Sequence, residues 1–154
     1  MRTVRLVESD LIALYGKPKW VALLTNPCAT AALIVRLTTN LPMPLSLLFR
    51  WIGLVVFSVD VSPRAKIGAK LRLPHPLGIV IGERVNIGDD VTIYQGVTLG
   101  NLRGSYPKIG NGCTIYPGAV VVGAIEVGDR AVIGALTYVA KSVFSGGKVR
   151  GDNS

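Results

Sequence analysis

The stretch that decides the fold is IGERVNIGDDVTIYQGVTLG, residues 81–100, in which an aliphatic residue returns at every sixth position. The same spacing runs through the second part of the chain, with a two-residue slip after Leu73 and a four-residue insertion after Leu99. All thirteen positions in this register are isoleucine, leucine or valine: Val61, Ile67, Leu73, Ile81, Ile87, Ile93, Leu99, Ile109, Ile115, Val121, Val127, Ile133 and Val139. A period of six matches neither an amphipathic helix nor a hairpin sheet. It predicts a solenoid in which each six-residue unit forms one short face and turns one corner.

Small residues accompany this register. Glycine often follows the aliphatic residue directly, at Gly68, Gly82, Gly88, Gly100, Gly110, Gly128 and Gly134. A small or aliphatic residue usually lies four positions after it, at Ala65, Val85, Val91, Val97, Cys113, Ala119 and Ala131. Glycine supplies the backbone angles that corners need, and the aliphatic residues point into a stacked core. Cys113 is therefore interpreted as a buried apolar group rather than a nucleophile.

The first 59 residues differ in composition and are predicted to be helical. They contain 2 of the 18 glycines, and Asn-Pro at 26–27 and Asn-Leu-Pro at 40–42 supply cap and breaker signals between short helices. Two uncharged stretches, residues 20–35 and 37–49, have 16 and 13 residues, fewer than the roughly 18 that a membrane span requires. We expect helices packed within an oligomer, with peripheral contact of these helices with a membrane surface as an alternative.

Length and composition narrow the function classes. The 154 residues suit one domain, and a mean hydropathy of +0.46 with 49% hydrophobic residues excludes intrinsic disorder. Two cysteines and one histidine offer neither a disulfide framework nor a metal cluster, so we expect a cytoplasmic protein without a metal, with the inner face of the membrane as an alternative location. The net charge of +8 is dispersed, without a basic run or aromatic platform, which argues against nucleic acid as a partner.

His75 is the only histidine of the chain and the leading candidate for a catalytic group. Pro74 and Pro76 fix the backbone on both sides of it, as a preorganised site requires, and it occupies the corner where the hexad register slips. Imidazole changes its protonation near neutral pH and suits a general base that takes a proton from an alcohol. The alternative is an ordinary histidine in a surface turn.

Four stretches of the second part carry a resemblance to a known family. They are VDVSPRAKIGAKLRLPHPLGIVIGE (59–83), VTIYQGVTLG (91–100), YPKIGNG (106–112) and AIEVGDRAVIGA (124–135). They resemble the hexapeptide-repeat acyltransferases, and among these the serine-acetyltransferase-like enzymes. The resemblance implies a mainly β fold: a left-handed parallel β-helix in residues 60–145, after an α-helical region in residues 1–59 and before a tail in residues 146–154. Thirteen hexads at three per turn give about four to five coils.

The same resemblance implies an acetyl-CoA-dependent O-acetyltransferase and assigns roles to individual residues. Asp60, fifteen residues before His75, is implied to be the carboxylate that orients and stabilises the catalytic imidazole. Acetyl-CoA is implied to be the donor, held in a groove between the subunits of a homotrimer, where positive charge suits its phosphates. The residues implied to line that groove are Gly100, Gly118, Ala119 and Lys141.

Departures from the family pattern bear on the identity of the acceptor. Ser105-Tyr106 stands where serine acetyltransferases carry the Arg-His pair that grips serine, and Arg103 is a candidate substitute in the same loop. The loss of such a cation removes a charge-assisted hydrogen bond. With Gly78, these three residues form the expected acceptor site. The LPHP segment at 73–76, the short helical start and the missing serine grip look more like the serine-acetyltransferase-like enzymes of polysaccharide biosynthesis. This resemblance implies a carbohydrate acceptor, with serine acetylation in cysteine biosynthesis as the alternative. A non-catalytic β-helix that binds a partner is the third hypothesis.

Overall fold

The computed structural model describes residues 2–151. Four helices come first: α1 (Arg2–Tyr15), α2 (Ala22–Thr25), α3 (Pro27–Asn40) and α4 (Leu45–Phe57). Thirteen short strands follow: β1 (Asp60–Val61), β2 (Lys66–Ile67), β3 (Val80–Ile81), β4 (Asn86–Ile87), β5 (Thr92–Ile93), β6 (Thr98–Gly100), β7 (Lys108–Ile109), β8 (Thr114–Ile115), β9 (Val120–Val122), β10 (Glu126–Val127), β11 (Val132–Ile133), β12 (Tyr138–Val139) and β13 (Lys148–Val149). The Asn26 side chain caps α3 by accepting the Cys28 N–H.

The strands form three parallel sheets that make the three faces of a solenoid. The first face has the order β1-β3-β6-β9-β12, the second face β2-β4-β7-β10, and the third face β5-β8-β11-β13. On the first face, neighbouring residues are 20, 18, 22 and 18 positions apart in sequence. Eighteen residues are three hexads, so the two longer coils carry the insertions. His75 lies in the first insertion, and residues 101–107 contain the second.

The hexad register forms the core. Twelve of its thirteen positions are buried, and Ile67 is partly buried against the same cluster. Cys113 is fully buried there, as its place in the register predicts. Each coil therefore contributes the same few aliphatic side chains to one continuous apolar column. This burial accounts for the hydropathy of the second part of the chain.

A ladder of polar side chains runs along the corner between the second and third faces. Asp89 accepts the Ala69 N–H at 2.7 Å, Asn111 accepts the Asp89 N–H at 2.8 Å, and Asp129 accepts the Asn111 N–H at 2.7 Å. Each side chain thus satisfies a backbone donor of the coil before it. We call these side chains, Asp89, Asn111 and Asp129, the corner ladder.

A buried ion pair attaches the helices to the first coil. Arg36 of α3 is wholly buried, and its guanidinium donates to both carboxylate oxygens of Asp10 in α1, at 2.7 and 2.8 Å. Arg36 also donates to the carbonyls of Ile67 and Gly68, and Asp10 accepts the Leu71 N–H at 2.8 Å. A buried charge persists only when it is paired and hydrogen-bonded.

The solenoid extends beyond residue 145, where it was predicted to end. Strand β13 pairs in parallel with β11, Lys148 beside Val132, and completes the third face. The partly buried Val149 packs against the core, which explains why the chain keeps its coil here. Residues 152–154 of the expected tail lie outside the described residues.

The helices are short. No helix within residues 2–151 has the length and apolarity needed to cross a bilayer. Helix α4 nevertheless presents an apolar outward face, in which Leu47, Leu48, Trp51, Leu54 and Val55 are all exposed.

Candidate active site

His75 lies in the turn that leads from the third face to the first face, before β3. Its side chain is exposed, while the neighbouring Pro76 is buried and anchors the turn. The Leu77 N–H donates to the His75 carbonyl at 2.9 Å, and the Cys28 thiol donates to the Pro74 carbonyl at 3.0 Å. The start of α3 therefore also braces this turn, and the imidazole projects from a fixed backbone.

Aromatic side chains continue this corner along the solenoid. The ring centroids of His75 and Tyr94 are 6.4 Å apart, and Tyr94 stacks on Tyr116 at 5.2 Å. Gly78 and Gly118 lie in the same corner with φ of +65° and +69°, a conformation that glycine adopts without strain. The expected residues Gly78 and Gly118 thus lie on one edge with His75, two coils apart, with Gly96 of the intervening coil between them.

Asp60 has a different partner from the one the sequence analysis expected. Its carboxylate accepts two hydrogen bonds from Arg50 of α4, from Nε at 2.6 Å and from Nη2 at 3.1 Å. Within residues 2–151 no hydrogen bond or ion pair joins Asp60 to His75. The Asp60 N–H donates to the carbonyl of Ile79, so its backbone lies beside the segment that follows His75.

The local fold explains this pairing. Helix α4 ends at Phe57, and the next residue, Ser58, has a left-handed φ of +53° that turns the chain directly into β1. This sharp turn carries Arg50 of the helix back over Asp60 of the strand. The hydrogen bond to Asp60 raises the pKa of Arg50 above its ordinary value, so the guanidinium keeps its charge.

A cavity of about 540 Å³ opens beside this ion pair. Its walls include Arg50 and Asp60, a second ion pair between Arg64 and Glu83, and the ring of Tyr106. The cavity therefore presents two cations and two carboxylates to its occupant. His75 is not part of its lining within a single chain.

The loop after β6 contributes one of its expected acceptor residues to this cavity. Tyr106 packs over Gly82, where an added Cβ would meet the tyrosine Cε1 at 2.7 Å, and the Arg84 guanidinium lies 5.3 Å from its ring centre. Ser105 lines a neighbouring cavity of about 330 Å³ instead. Arg103 lines neither of these two cavities, so the structure does not bring it to the place of the missing cation.

The expected donor residues occupy both edges of the first face. Gly118 and the fully buried Ala119 precede β9, on the His75 edge. Gly100 ends β6, and the exposed Lys141 follows β12, so both lie at the opposite edge. A single chain does not bring the four residues together.

The sequence analysis missed the charges that define the cavity. Arg50 is the only charged residue between Arg36 and Asp60. A lone charge in an apolar helix needs a partner, and that signal was present for Arg50 and for Arg36 alike. Arg64 and Glu83 carried no distinguishing signal, since surface charges are common in turns.

Comparisons with known proteins first define the class. A family model described as bacterial transferase hexapeptide (six repeats) matches residues 106–141. A serine acetyltransferase of Helicobacter pylori (strain ATCC 700392 / 26695) is 38% identical over 162 aligned residues, which cover 97% of this chain and 91% of the relative. A serine acetyltransferase of Staphylococcus aureus (strain N315) is 47% identical over 91 residues, 56% of this chain and 43% of the relative.

Solved structures agree with this match. A serine acetyltransferase in complex with CoA superposes with a TM-score of 0.87 at 33% identity, covering 98% of this chain and 68% of that one. Soybean serine acetyltransferase complexed with serine gives a TM-score of 0.86 at 28% identity, with the same coverages of 98% and 68%. This chain thus spans nearly the whole Helicobacter pylori relative and about two thirds of these two solved chains.

The fold and these matches define a hexapeptide-repeat transferase with a left-handed parallel β-helix, as the sequence predicted. Within that class, the chain belongs to the serine acetyltransferase family. The predicted enzyme class, an acyltransferase that uses acetyl-CoA, is confirmed.

The prediction of a carbohydrate acceptor in polysaccharide biosynthesis was wrong. The relatives and structural neighbours are serine acetyltransferases, which support the alternative. The prediction rested on the absence of a cation from the loop at 105–106. Two other cations, Arg50 of α4 and Arg64 of the first coil, line the cavity beside this loop.

Proposed function

We propose that this protein transfers the acetyl group of acetyl-CoA to the hydroxyl of L-serine. The observation that carries the proposal is the charge content of the cavity, where the Arg50–Asp60 and Arg64–Glu83 pairs present both signs of charge. An amino acid is a zwitterion, so its carboxylate and ammonium groups each need a partner of opposite charge. A neutral hydroxyl compound does not need charged side chains of both signs in its binding site.

His75 acts as the general base in this proposal. Its neutral imidazole takes the proton of the serine hydroxyl while the oxygen attacks the thioester carbonyl carbon. Backbone N–H groups stabilise the resulting oxyanion. The C–S bond then breaks, and the protonated imidazole returns its proton to the departing thiolate, giving O-acetylserine and CoA.

Asp60 remains the proposed carboxylate that supports the imidazolium. Its backbone is bonded to Ile79, four residues beyond His75, which keeps both residues in one region of the solenoid. In this proposal the Asp60 oxygens stay on Arg50, and the negative charge of the carboxylate stabilises the imidazolium that forms when His75 takes the proton.

The donor is proposed to lie between subunits of a homotrimer. The expected donor residues lie at two opposite edges of the first face. In a trimer, the edge with Gly118 on one subunit can meet the edge with Lys141 on the next, so that both edges line one groove. The ammonium of Lys141 would attract the phosphates of CoA. The exposed apolar face of α4 supports an oligomer, since a contiguous apolar patch on a surface usually marks a contact with another protein.

The test is thiol release from acetyl-CoA with L-serine, for the wild type and for His75→Ala. We expect turnover by the wild type and a fall of kcat of about 10²- to 10⁴-fold in the variant, the usual contribution of a general base. Tyr94→Phe is the matched control, because it changes the neighbouring ring and leaves the imidazole intact. Wild-type protein that releases no thiol with serine, or a variant at the wild-type rate, contradicts the proposal.

A further inference from the structure

Arg50 uses only one edge of its guanidinium on Asp60. The two bonds leave from Nε and Nη2, while Nη1 has no hydrogen-bond partner among residues 2–151. A guanidinium carries five N–H groups in a fixed plane, so three remain to bind something else. The side chain is 41% exposed and lines the 540 Å³ cavity, so these donors are accessible from it.

The other cation of the cavity is less suited to hold a ligand. The side chain of Arg64 is 78% exposed at the rim, and its Nη1 donates to Glu83. Exposed ion pairs gain little free energy, because water screens them and long side chains lose freedom. Arg50 is more enclosed and is held in place by two bonds to Asp60. A preorganised guanidinium loses less freedom when it binds a second carboxylate.

We propose that Arg50 binds the carboxylate of the amino-acid acceptor through the N–H groups that Asp60 leaves free. This inference rests on the proposed function and adds the residue that selects an α-carboxylate. Asp60 holds the guanidinium on one side, and the acceptor carboxylate occupies the other. The nearby Tyr106 and Gly82 form an uncharged wall. The positive charge missing from the loop at 105–106 is thus supplied by α4.

The test compares L-serine with L-serinamide, which keeps the hydroxyl and the ammonium but replaces the carboxylate by a neutral amide. The wild type should prefer serine. In Arg50→Gln we expect KM for serine to rise by about 10- to 100-fold, as the loss of a hydrogen bond to a charged group predicts. The KM for serinamide should change little, so the preference for serine should disappear. Arg50→Lys should restore part of it, since it keeps the charge without the fork.

Arg72→Gln provides the matched control. Arg72 makes a similar half-exposed pair with Asp90 on the third face and does not line the cavity. This variant should keep the wild-type preference for serine.

The outcomes separate the inference from the proposed function. An Arg50→Gln variant that loses the same factor for serine and serinamide shows a structural role and overturns the inference. Wild-type protein that acetylates both compounds equally well overturns it too, while leaving serine acetylation intact. Wild-type protein that acetylates neither compound overturns the proposed function as well.

Discussion

The helical region and the solenoid are held together in opposite ways. The solenoid repeats one small device in every coil, an aliphatic hexad residue in a common column with a polar corner beside it. The core cluster formed by α1, α2 and α3 contains only Val7, Leu11, Ala22 and Ala29 as buried residues. The Asp10–Arg36 pair joins α1 to α3, and the same two side chains make three hydrogen bonds to the backbone of the first coil. Stability is therefore distributed in one region and concentrated in the other.

The largest expected loss of stability follows from breaking the buried Asp10–Arg36 pair. Asp10→Asn removes the negative charge and leaves the buried guanidinium of Arg36 uncompensated. Such a change costs about 3–5 kcal/mol of unfolding free energy. Chemical denaturation followed by circular dichroism would measure it.

A double variant tests whether the pair acts as one unit. Asp10→Asn combined with Arg36→Met should cost less than the sum of the two single changes, because the second change removes the uncompensated charge. Arg72→Gln, which breaks a half-exposed pair, should cost about 1 kcal/mol or less. Equal losses in Asp10→Asn and Arg72→Gln would show that the helical region has no concentrated anchor.

The solenoid should respond to a change in spacing between coils. In Gly88→Ala the new Cβ would lie 3.0 Å from the backbone of Gly110 and 2.6 Å from the Asn111 side-chain oxygen. The backbone of the next coil has to move, and overpacking of this kind costs about 1–3 kcal/mol. Thermal unfolding would report the loss.

Gly100→Ala is the control for this variant. Its added Cβ would meet its nearest neighbours at 3.5 Å and 3.6 Å, which is ordinary van der Waals contact. We expect little change in the melting temperature. If both alanine variants melted alike, close coil packing would not explain the glycine at position 88.

Each hydrogen bond of the corner ladder should contribute less to the free energy of unfolding than the close coil packing does. Asn111→Ala removes the acceptor of the Asp89 N–H and a donor to Asp129. The expected loss is about 0.5–1.5 kcal/mol, the net value of a typical hydrogen bond. Denaturation would again measure it.

Asn101→Ala is the control for Asn111→Ala. Asn101 also accepts a backbone N–H, from Gly104 at 3.0 Å, but this bond lies within one loop, whereas the ladder bonds join successive coils. A loss in Asn101→Ala as large as in Asn111→Ala would contradict a special role for the corner.

The two regions also differ in how far their structure could be predicted from sequence. The hexad period determines which side chains point inward, because every coil repeats the same geometry, and its positions are indeed the core. The Asp10–Arg36 contact joins residues 26 positions apart through tertiary packing, for which no repeat provides a register. The partner of Asp60 was missed for the same reason. The turn at Ser58 that brings Arg50 to it has no counterpart in the hexads.

The acceptor was mispredicted on similar grounds. The resemblance directs attention to positions in its own stretches, such as Tyr106, whereas Arg50 enters the same cavity from α4, which lies outside those stretches. The resemblance also assigned Gly100 and Gly118 to one donor groove. It could not show that they lie at opposite edges of one face, because an edge depends on where each strand begins and ends.

Each region contains one cysteine, and the reactivities of the two thiols compare the regions at single residues. This is the smallest of the expected effects. Cys113 is fully buried in the solenoid core, and burial raises the pKa of its thiol. Cys28 of α3 is partly exposed, and burial raises the pKa of its thiol as well. The thiolate is the reactive form, so a raised pKa lowers its fraction at a given pH.

We expect alkylation of the native protein to label Cys28 slowly and Cys113 not at all. The rate at Cys28 should still be rising at pH values where an ordinary thiol is already fully ionised, because its folded-state pKa lies higher. Mass spectrometry of the labelled peptides separates the two sites, and denatured protein, in which both must react, is the control. Labelling of native Cys113 as fast as Cys28 would show that the solenoid opens locally as readily as the helical region, against the distributed stability of its coils.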